Sequence, residues 1–203
     1  HASLAPSEMC IRDRIRGDQM NQVEPIRNKE DIKRMYQILK AKSERDYLLF
    51  KLAIHTGIRL IDLLNLKVEE VLKQDEEVVV SSWIQQYEPS IKIMLPEDLR
   101  IELKTYIEKK HLTCDQLLFQ SLRTHRELSR QQAYRIIHQA AEELDLIHIG
   151  LTTLRKTFAY HAYKSGISIA IIQKYLGHQT TQETVKFIGL PSKEEHHTII
   201  ALN

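Results

Sequence analysis

The chain has 203 residues, a formal net charge of +2, 42% hydrophobic residues and 28% charged residues. At roughly 100–200 residues per domain, this length predicts a single domain with at most a short tail, and the apolar content is sufficient to fill one core. No run of about 18 apolar residues occurs, which excludes a membrane-spanning helix, and two cysteines, Cys10 and Cys114, are too few for a disulfide framework and favour a reducing cytoplasm.

The ends of the chain differ from the part between them. Residues 1–19 show neither helical periodicity nor the apolar run of a signal peptide, and we expect them to be a non-native or disordered leader, with a natural start at Met20. The domain is then expected to span residues 20–190. Residues 191–203 are expected to form a C-terminal tail that could pack on a neighbouring subunit or fold back, because it ends in apolar residues.

The first part of the domain predicts helices with clear start and stop signals. Asn28 is a good helix N-cap, and the apolar residues after it repeat with helical spacing to about residue 41. Ser43 can begin a second helix to about residue 55, and Gly57 stands where a left-handed stop is needed. Residues 60–66 predict a short helical turn.

A small antiparallel hairpin is predicted next. Residues 78–80 are three consecutive valines, residues 91–95 alternate apolar side chains, and Pro89 lies in the turn between them. The hairpin predicts one two-stranded sheet in an otherwise helical domain.

The remaining chain predicts five more helices. Pro96 can begin one that ends near residue 110, and Ser129 can cap one that ends near residue 144. Three further helical stretches are expected at about residues 153–165, 168–176 and 180–188. The fold class is therefore mainly α with a small antiparallel β-sheet.

Charge is unevenly distributed along the chain. A net charge of +2 alone gives little support for nucleic-acid binding, but residues 146–182 contain no acidic residue, whereas residues 69–77 are strongly acidic. A local basic surface is what binding to phosphates requires. The candidate DNA-contacting residues are Arg123, Arg126, Arg130, Arg135, Lys156 and Lys174. Ordinary solvated helix surfaces remain the alternative explanation.

Two segments have spacings that carry more chemical information. Residues 52–67 (LAIHTGIRLIDLLNLK) place Arg59 immediately after the predicted helix stop. Residues 150–190 place Arg155 in the first turn of a helix and His178 after a Leu-Gly turn. These segments resemble the T-G-L-R-x-x-E/D-L-L-x-L and H-x-L-R-H/K-T-F … L-G-H blocks of the tyrosine recombinase (phage integrase) family. The resemblance runs from about residue 24 to residue 190 and is strongest to the short integrase-like proteins of Firmicutes and their phages.

The resemblance implies the catalytic-domain fold and the phosphoryl-transfer chemistry of that family. There a Tyr attacks a DNA phosphodiester and forms a 3′-phosphotyrosine, while two Arg and a His or Trp hold the nonbridging oxygens. A Lys of the hairpin protonates the leaving oxygen, and a first His assists with the Tyr proton. By position, Arg59 and Arg155 match the two arginines and His178 matches the histidine of the L-G-H block. Guanidinium groups suit an oxyanion with several oxygens, so the three residues are predicted to hold phosphate.

The other half of the family's chemistry is missing. The nucleophile position, nine residues after His178, is Phe187, which has no hydroxyl group. The first His position, three residues before Arg155, is Thr152, and an aliphatic hydroxyl is not a base near neutral pH. The hairpin turn has no Lys, and Lys92 follows only on the second strand. The resemblance therefore implies a catalytically degenerate member.

Alternative explanations exist for the individual residues. Arg59 and Arg155 could form structural ion pairs, for which Asp62 and several glutamates are available. Tyr160, Tyr163 and Tyr175 are candidates to replace the missing nucleophile, but the spacing of Tyr160 and Tyr163 on the helix after Arg155 is more typical of packing residues.

The prediction is therefore a DNA-binding protein unable to cleave DNA, which acts as a regulator or architectural factor of a mobile element. The alternative is a site-specific recombinase whose nucleophile is altered or is supplied by a partner subunit. A third possibility is an inactive partner inside a heteromeric recombinase, and a protein-only interaction module is the remaining one. The expected partners are double-stranded DNA and a homo-oligomer or recombinase contacted through the tail. No cofactor, metal or membrane association is expected, since adjacent His196 and His197 are poorly spaced for a metal. The expected location is the cytoplasm, at the nucleoid.

With Met20 as the start, no separate N-terminal helical domain is expected, and DNA binding should be weak and salt-sensitive.

Overall fold

The structure is a computed structural model and describes residues 22–72, 91 and 93–191. Within these residues the chain is helical. The helices are α1 (Lys29–Lys42), α2 (Glu44–Thr56), α3 (Leu60–Leu64), α4 (Val68–Val71), α5 (Glu97–Lys109), α6 (Arg130–Glu142), α7 (Leu151–Lys164), α8 (Ile169–Leu176) and α9 (Thr181–Ile188).

Helix α2 lies at the centre of the domain. Ten of its thirteen residues are buried, including Leu48, Leu49, Phe50 and Leu52. A helix that is apolar on nearly every side must be surrounded, and α2 packs against α1, α5 and α7. Its C-terminus lies in the interior of the domain, next to α3, α7 and α8.

The predicted helix starts are confirmed. The side chains of Asn28, Ser43 and Ser129 each accept a hydrogen bond from a backbone N–H group in the first turn of α1, α2 and α6. These caps satisfy donors that have no partner inside the helix. The three C-terminal helical stretches are also confirmed as α7, α8 and α9. Helix α4 spans only four residues, too few for a periodic signal in the sequence.

The mainly helical fold class is confirmed, but the predicted β-sheet is not seen. Residues 73–90 and Lys92, which include the first strand and the turn of the predicted hairpin, lie outside the described residues. Among the described residues of the second strand, Ile91 and residues 93–95 form no strand. Elsewhere in the described part, antiparallel pairing is limited to isolated bridges that join Lys67 to Leu117 and Gln120 to Glu127. A helix that crosses a membrane is also not found among the described residues, since none is long and apolar enough.

Candidate functional site

The turn after α2 sets the position of Arg59. Gly57 ends the helix in the left-handed conformation, with φ 62°, and its N–H group donates to the Ala53 carbonyl at 2.8 Å. A Cβ atom on Gly57 would lie 2.2 Å from Cδ1 of Phe158, so both the conformation and the available space require glycine. The chain then enters α3 with Arg59 as its N-cap residue.

The guanidinium of Arg59 is half exposed and lies beside a carboxylate one helical turn away. Its Nε donates to Oδ2 of Asp62 at 2.8 Å. The ion pair that the sequence offered as an alternative for Arg59 is thus present. Because the Arg59 side chain is 53% exposed, this pair contributes little to the stability of the fold.

The side chain of Arg155, on α7, connects that helix to the C-terminal ends of α2 and α8. Its Nε donates to the Gly57 carbonyl at 3.0 Å, and its Nη2 donates to the Leu176 carbonyl at the end of α8, also at 3.0 Å. The hydroxyl of Tyr175 donates to the Thr56 carbonyl next to them. The last carbonyls of α2 and α8, which lack partners inside their helices, are therefore capped by side chains. In these two contacts, Arg155 is positioned by backbone carbonyl groups.

Arg59 and Arg155 line the same cavity, which has a volume of about 260 Å³. Arg130, the first residue of α6, also lines it. So do Thr152 and Phe187, two of the positions where the sequence departs from the family pattern. The remaining wall is formed by apolar side chains of the surrounding helices: Ala53, Ile58, Leu60, Ile61, Leu63, Leu151 and Leu154. Three guanidinium groups around an apolar cleft are suited to a compact oxyanion.

His178 lies next to this cavity through its contact with Phe187. The two rings are 5.0 Å apart between centroids and meet edge to face at 70°. The Nδ1 atom of His178 hydrogen-bonds with Oγ1 of Thr184 at 2.9 Å, which fixes the imidazole against α9. Burial lowers the pKa of His178 below its ordinary value; Glu183 opposes that shift and the Arg155 charge adds to it. Burial therefore favours the neutral form of the imidazole.

The predicted DNA-contacting residues are divided between the surface and the interior. Arg123, Arg126, Arg135 and Lys174 are exposed but do not line the cavity, whereas Arg130 is exposed and lines it. Lys156 is only 9% exposed, and its ammonium group donates to the Val23 carbonyl at 2.9 Å. Although the acid-free stretch predicted Lys156 for the DNA surface, α7 turns this side chain inward.

The three tyrosines considered as replacement nucleophiles make other contacts. Tyr175 is buried, and its hydroxyl is occupied by the Thr56 carbonyl. The Tyr160 ring packs beneath the guanidinium of Arg27, and Tyr163 is partly exposed on α7. As far as the described residues extend, none of the three lines the cavity that contains Arg59 and Arg155. Of the two tyrosines predicted from their spacing to be packing residues, Tyr160 packs against the core, whereas Tyr163 is exposed.

Several groups that orient the site residues were not predicted from the sequence. Thr184, which orients His178, and the carbonyl groups of Gly57 and Leu176, which orient Arg155, become visible only in the fold. Thr184 is fully buried on one face of α9, and a polar residue on the apolar face of a predicted helix was the available signal. Within the described residues, no three His, Cys, Asp or Glu side chains are grouped so that they could hold a metal ion.

Comparison with known proteins gives a consistent set of matches. The model of the phage integrase family matches residues 27–192. The chain is 38% identical over 171 residues to the probable integrase/recombinase YoeC of Bacillus subtilis, covering 84% of this chain and 92% of that protein. Its fold is similar to the crystal structure of XerA recombinase, with a TM-score of 0.64, 23% identity and coverage of 81% of this chain and 58% of that one.

A second solved structure is XerH site-specific recombinase bound to difH substrate in a pre-cleavage complex. It matches with a TM-score of 0.62 and 18% identity, covering 82% of this chain and 51% of that one. The chain thus spans nearly all of YoeC, but little more than half of either recombinase in these structures.

Proposed function

The chain belongs to the phage integrase family, and we propose that it binds double-stranded DNA and holds a phosphodiester in the cavity of Arg59 and Arg155 without attacking it. The observation that carries the proposal is that both arginines and Phe187 line one cavity. The anion-binding groups are assembled there, while the side chain at the nucleophile position is a hydrocarbon ring.

The chemistry of the cavity supports binding over cleavage. Two guanidinium groups donate charge-assisted hydrogen bonds to phosphate oxygens, and Arg130 adds a third positive charge at the same cleft. A phenyl ring has no lone pair or proton to exchange with phosphorus, so the covalent route is closed at this position. Thr152 lines the cavity but cannot accept a proton near neutral pH.

Binding without cleavage fits a protein that regulates a mobile element or shapes its DNA. Such a protein occupies a recombination site without changing its connectivity. The proposal includes a second copy of the chain or a recombinase partner contacted through the tail at residues 191–203, of which only Pro191 belongs to the described part. Arg123, Arg126, Arg135 and Lys174 would add phosphate contacts outside the cavity, because all four are exposed.

The test begins by letting the protein select its own DNA. Duplexes from a random pool are enriched by repeated binding at low salt, and the selected sequence is then prepared with a single nick at each position in turn. A nick next to the cleaved bond traps a covalent 3′-phosphotyrosyl adduct, which denaturing gels detect. We expect enrichment of duplex DNA and no adduct. Failure to retain any duplex would overturn the binding proposal, and an adduct from the native chain would overturn the non-cleaving one.

One observation favours a second function, that of a recombinase whose nucleophile comes from another subunit. The chain is similar to nearly the whole of a protein named as a probable integrase/recombinase. Mixing distinguishes the two functions: a Phe187→Tyr/Arg59→Gln variant supplies a phenol but lacks Arg59, and the native chain supplies both arginines but no phenol at position 187. An adduct formed by the mixture and by neither protein alone would support donation of the nucleophile between subunits.

A further inference from the structure

A short extended segment before α1 is fixed along one side of α7. We call residues 23–27 the N-terminal strap. The Ile26 N–H group donates to Oγ1 of Thr157 at 2.9 Å, and Nε2 of His161 donates to the Ile26 carbonyl at the same distance. The Ile26 side chain is 3% exposed, so the strap is part of the core and not a loose end.

The strap also reaches α9, the helix that carries Phe187. The guanidinium of Arg27 donates from Nη2 to the Gly189 carbonyl at 3.0 Å and to Oε2 of Glu24 at 2.8 Å. Gly189 is the residue that ends α9, with φ 71°, and a Cβ on it would lie 2.7 Å from Nη2 of Arg27. A cation at this position satisfies a terminal carbonyl and interacts favourably with the helix dipole.

A second connection passes through Lys156. Its Nζ donates to the Val23 carbonyl of the strap at 2.9 Å and lies 5.2 Å from the centroid of the Phe187 ring. The ammonium group is therefore shared between the strap and the aromatic side chain that lines the cavity. Burial lowers the pKa of Lys156, with Glu24 opposing, and the Val23 carbonyl is the hydrogen-bond acceptor that compensates for that burial.

Helix α9 depends on such attachments for its position. It has only eight residues, and an isolated helix of that length does not persist in water. Its orientation is consequently set by what it touches, which includes α7, α8 and the strap. The strap is thus connected to α9 at two points: Arg27 contacts the C-terminus of the helix, and Lys156 links the strap to the Phe187 ring.

We propose that Arg27 and Lys156 are positioning residues that couple the N-terminal strap to position 187 of the cavity. Arg27 holds the end of α9, and Lys156 holds the ring of Phe187, so that the ring faces His178 and closes one side of the cleft. A displacement of the strap shifts residue 187 relative to Arg59 and Arg155. The effect on DNA affinity rests on the function proposed above, whereas the effect on the ring does not.

Fluorine NMR can test the coupling without DNA. The chain has four phenylalanines, so labelling with 4-fluorophenylalanine gives four resonances, and Phe187→Leu identifies the one from position 187. Phe50 and Phe119 are fully buried in the core and serve as internal reporters of the overall fold. In Arg27→Ala and in Lys156→Met, we expect the Phe187 resonance to shift or broaden while those of Phe50 and Phe119 stay in place. Arg27→Lys should retain most of the native shift.

The control is Arg34→Ala, which removes an exposed arginine on α1 that faces Asp31. It should leave all four resonances unchanged. An unchanged Phe187 resonance in Arg27→Ala would overturn the proposal, because Lys156→Met removes a charge next to the ring and shifts its resonance in any case. Equal shifts of all four resonances would also overturn it, since these would indicate general loosening of the fold. With DNA, we expect Arg27→Ala to weaken binding by about 3- to 10-fold, because a misplaced ring disturbs the cleft. A shifted Phe187 resonance with unchanged DNA affinity would leave the coupling intact and count against the DNA-binding role of the cavity.

Discussion

The ring of Phe187 meets the imidazole of His178 edge to face, with 5.0 Å between the centroids and 70° between the planes. On another side the ring is approached by the Lys156 ammonium at 5.2 Å. An aromatic side chain at this position is thus held between an imidazole and a cation. The ammonium charge of Lys156 would favour the ionised form of a phenol, so the environment suits a tyrosine that the chain does not have.

Phe187→Tyr should therefore restore a measurable reaction. On the selected and nicked DNA, we expect the variant to form a slow covalent adduct that the native chain does not form. Adding Thr152→His should accelerate adduct formation by about 10²- to 10⁴-fold, the usual contribution of a general base. Phe158→Tyr is the matched control, because it adds a phenol on α7 outside the residues that line the cavity. No adduct from the double variant on DNA that it binds would contradict the assignment of position 187.

Arg59→Gln tests whether the cavity holds phosphate. Loss of one charge-assisted contact should weaken DNA binding by about tenfold and reduce the slope of log affinity against log salt by about 1. Arg34→Gln is the matched control, since Arg34 is also exposed and faces a carboxylate three residues away. Equal losses in both variants, measured by fluorescence anisotropy from 50 to 200 mM salt, would mean that Arg59 acts only through general charge.

His178 predicts a pH dependence of DNA binding. Burial lowers the pKa of the free imidazole, and a phosphate next to it raises that pKa because it favours the protonated form. Binding is then coupled to proton uptake, so affinity is highest below the pKa of the free protein and falls as pH rises through the pKa of the complex. Anisotropy between pH 5 and 8 should show this fall in the native chain and not in His178→Gln. Superposable profiles would exclude protonation of His178 on binding.

The sequence predicted the local structure well because its signals are local. Asn28, Ser43 and Ser129 each cap a helix with their own side chain, so the evidence for each helix start lies within four residues. Gly57 is similar, since a helix stop in the left-handed region is decided by one residue.

The site could be predicted only where the family resemblance fixed positions. Arg59, Thr152, Arg155 and Phe187 were named by spacing, and they line one cavity. Lys156 shows the limit of charge as a guide, because the orientation of one residue on α7 decides whether an ammonium group meets DNA or the Val23 carbonyl. The contact of Arg27 with Gly189 joins residues 162 positions apart and had no signal in the sequence.

The Lys51 cluster predicts a defined loss of stability in acid. The Lys51 ammonium, whose side chain is 6% exposed, donates to Oδ2 of Asp98 at 2.6 Å and to Oε1 of Glu102 at 3.2 Å. The hydrogen bond from Lys51 lowers the pKa of Asp98 below its ordinary value. The contribution of Asp98 to stability is therefore complete above the unfolded-state pKa of about 4 and is lost as pH falls through the folded-state pKa.

Urea unfolding at pH 7, 5, 4 and 3 measures this contribution. Asp98→Asn should be less stable than the parent at pH 7 and should lose less stability on acidification. In a Lys51→Met background the same substitution should change neither quantity, because the partner of the carboxylate is gone. Identical effects of Asp98→Asn in both backgrounds would show that the pair does not carry the pH dependence.

The turn that presents Arg59 allows conformational cost and steric cost to be separated. Gly57 and Gly177 both end helices in the left-handed region, at φ 62° and 75°, but only Gly57 is covered by another side chain. Gly177→Ala should therefore lose only the conformational preference, about 1 kcal/mol of unfolding free energy. Gly57→Ala must also displace Phe158, whose Cδ1 would lie 2.2 Å from the new methyl group, which adds about 1–3 kcal/mol. Chemical denaturation of both variants gives the difference, and in a Phe158→Ala background Gly57→Ala should cost only the conformational part, because the clashing ring is then absent from both proteins compared. Equal losses in the two single variants would contradict the close contact of Phe158 with the turn, and with it the packing of α7 that holds Arg155 against the Gly57 carbonyl.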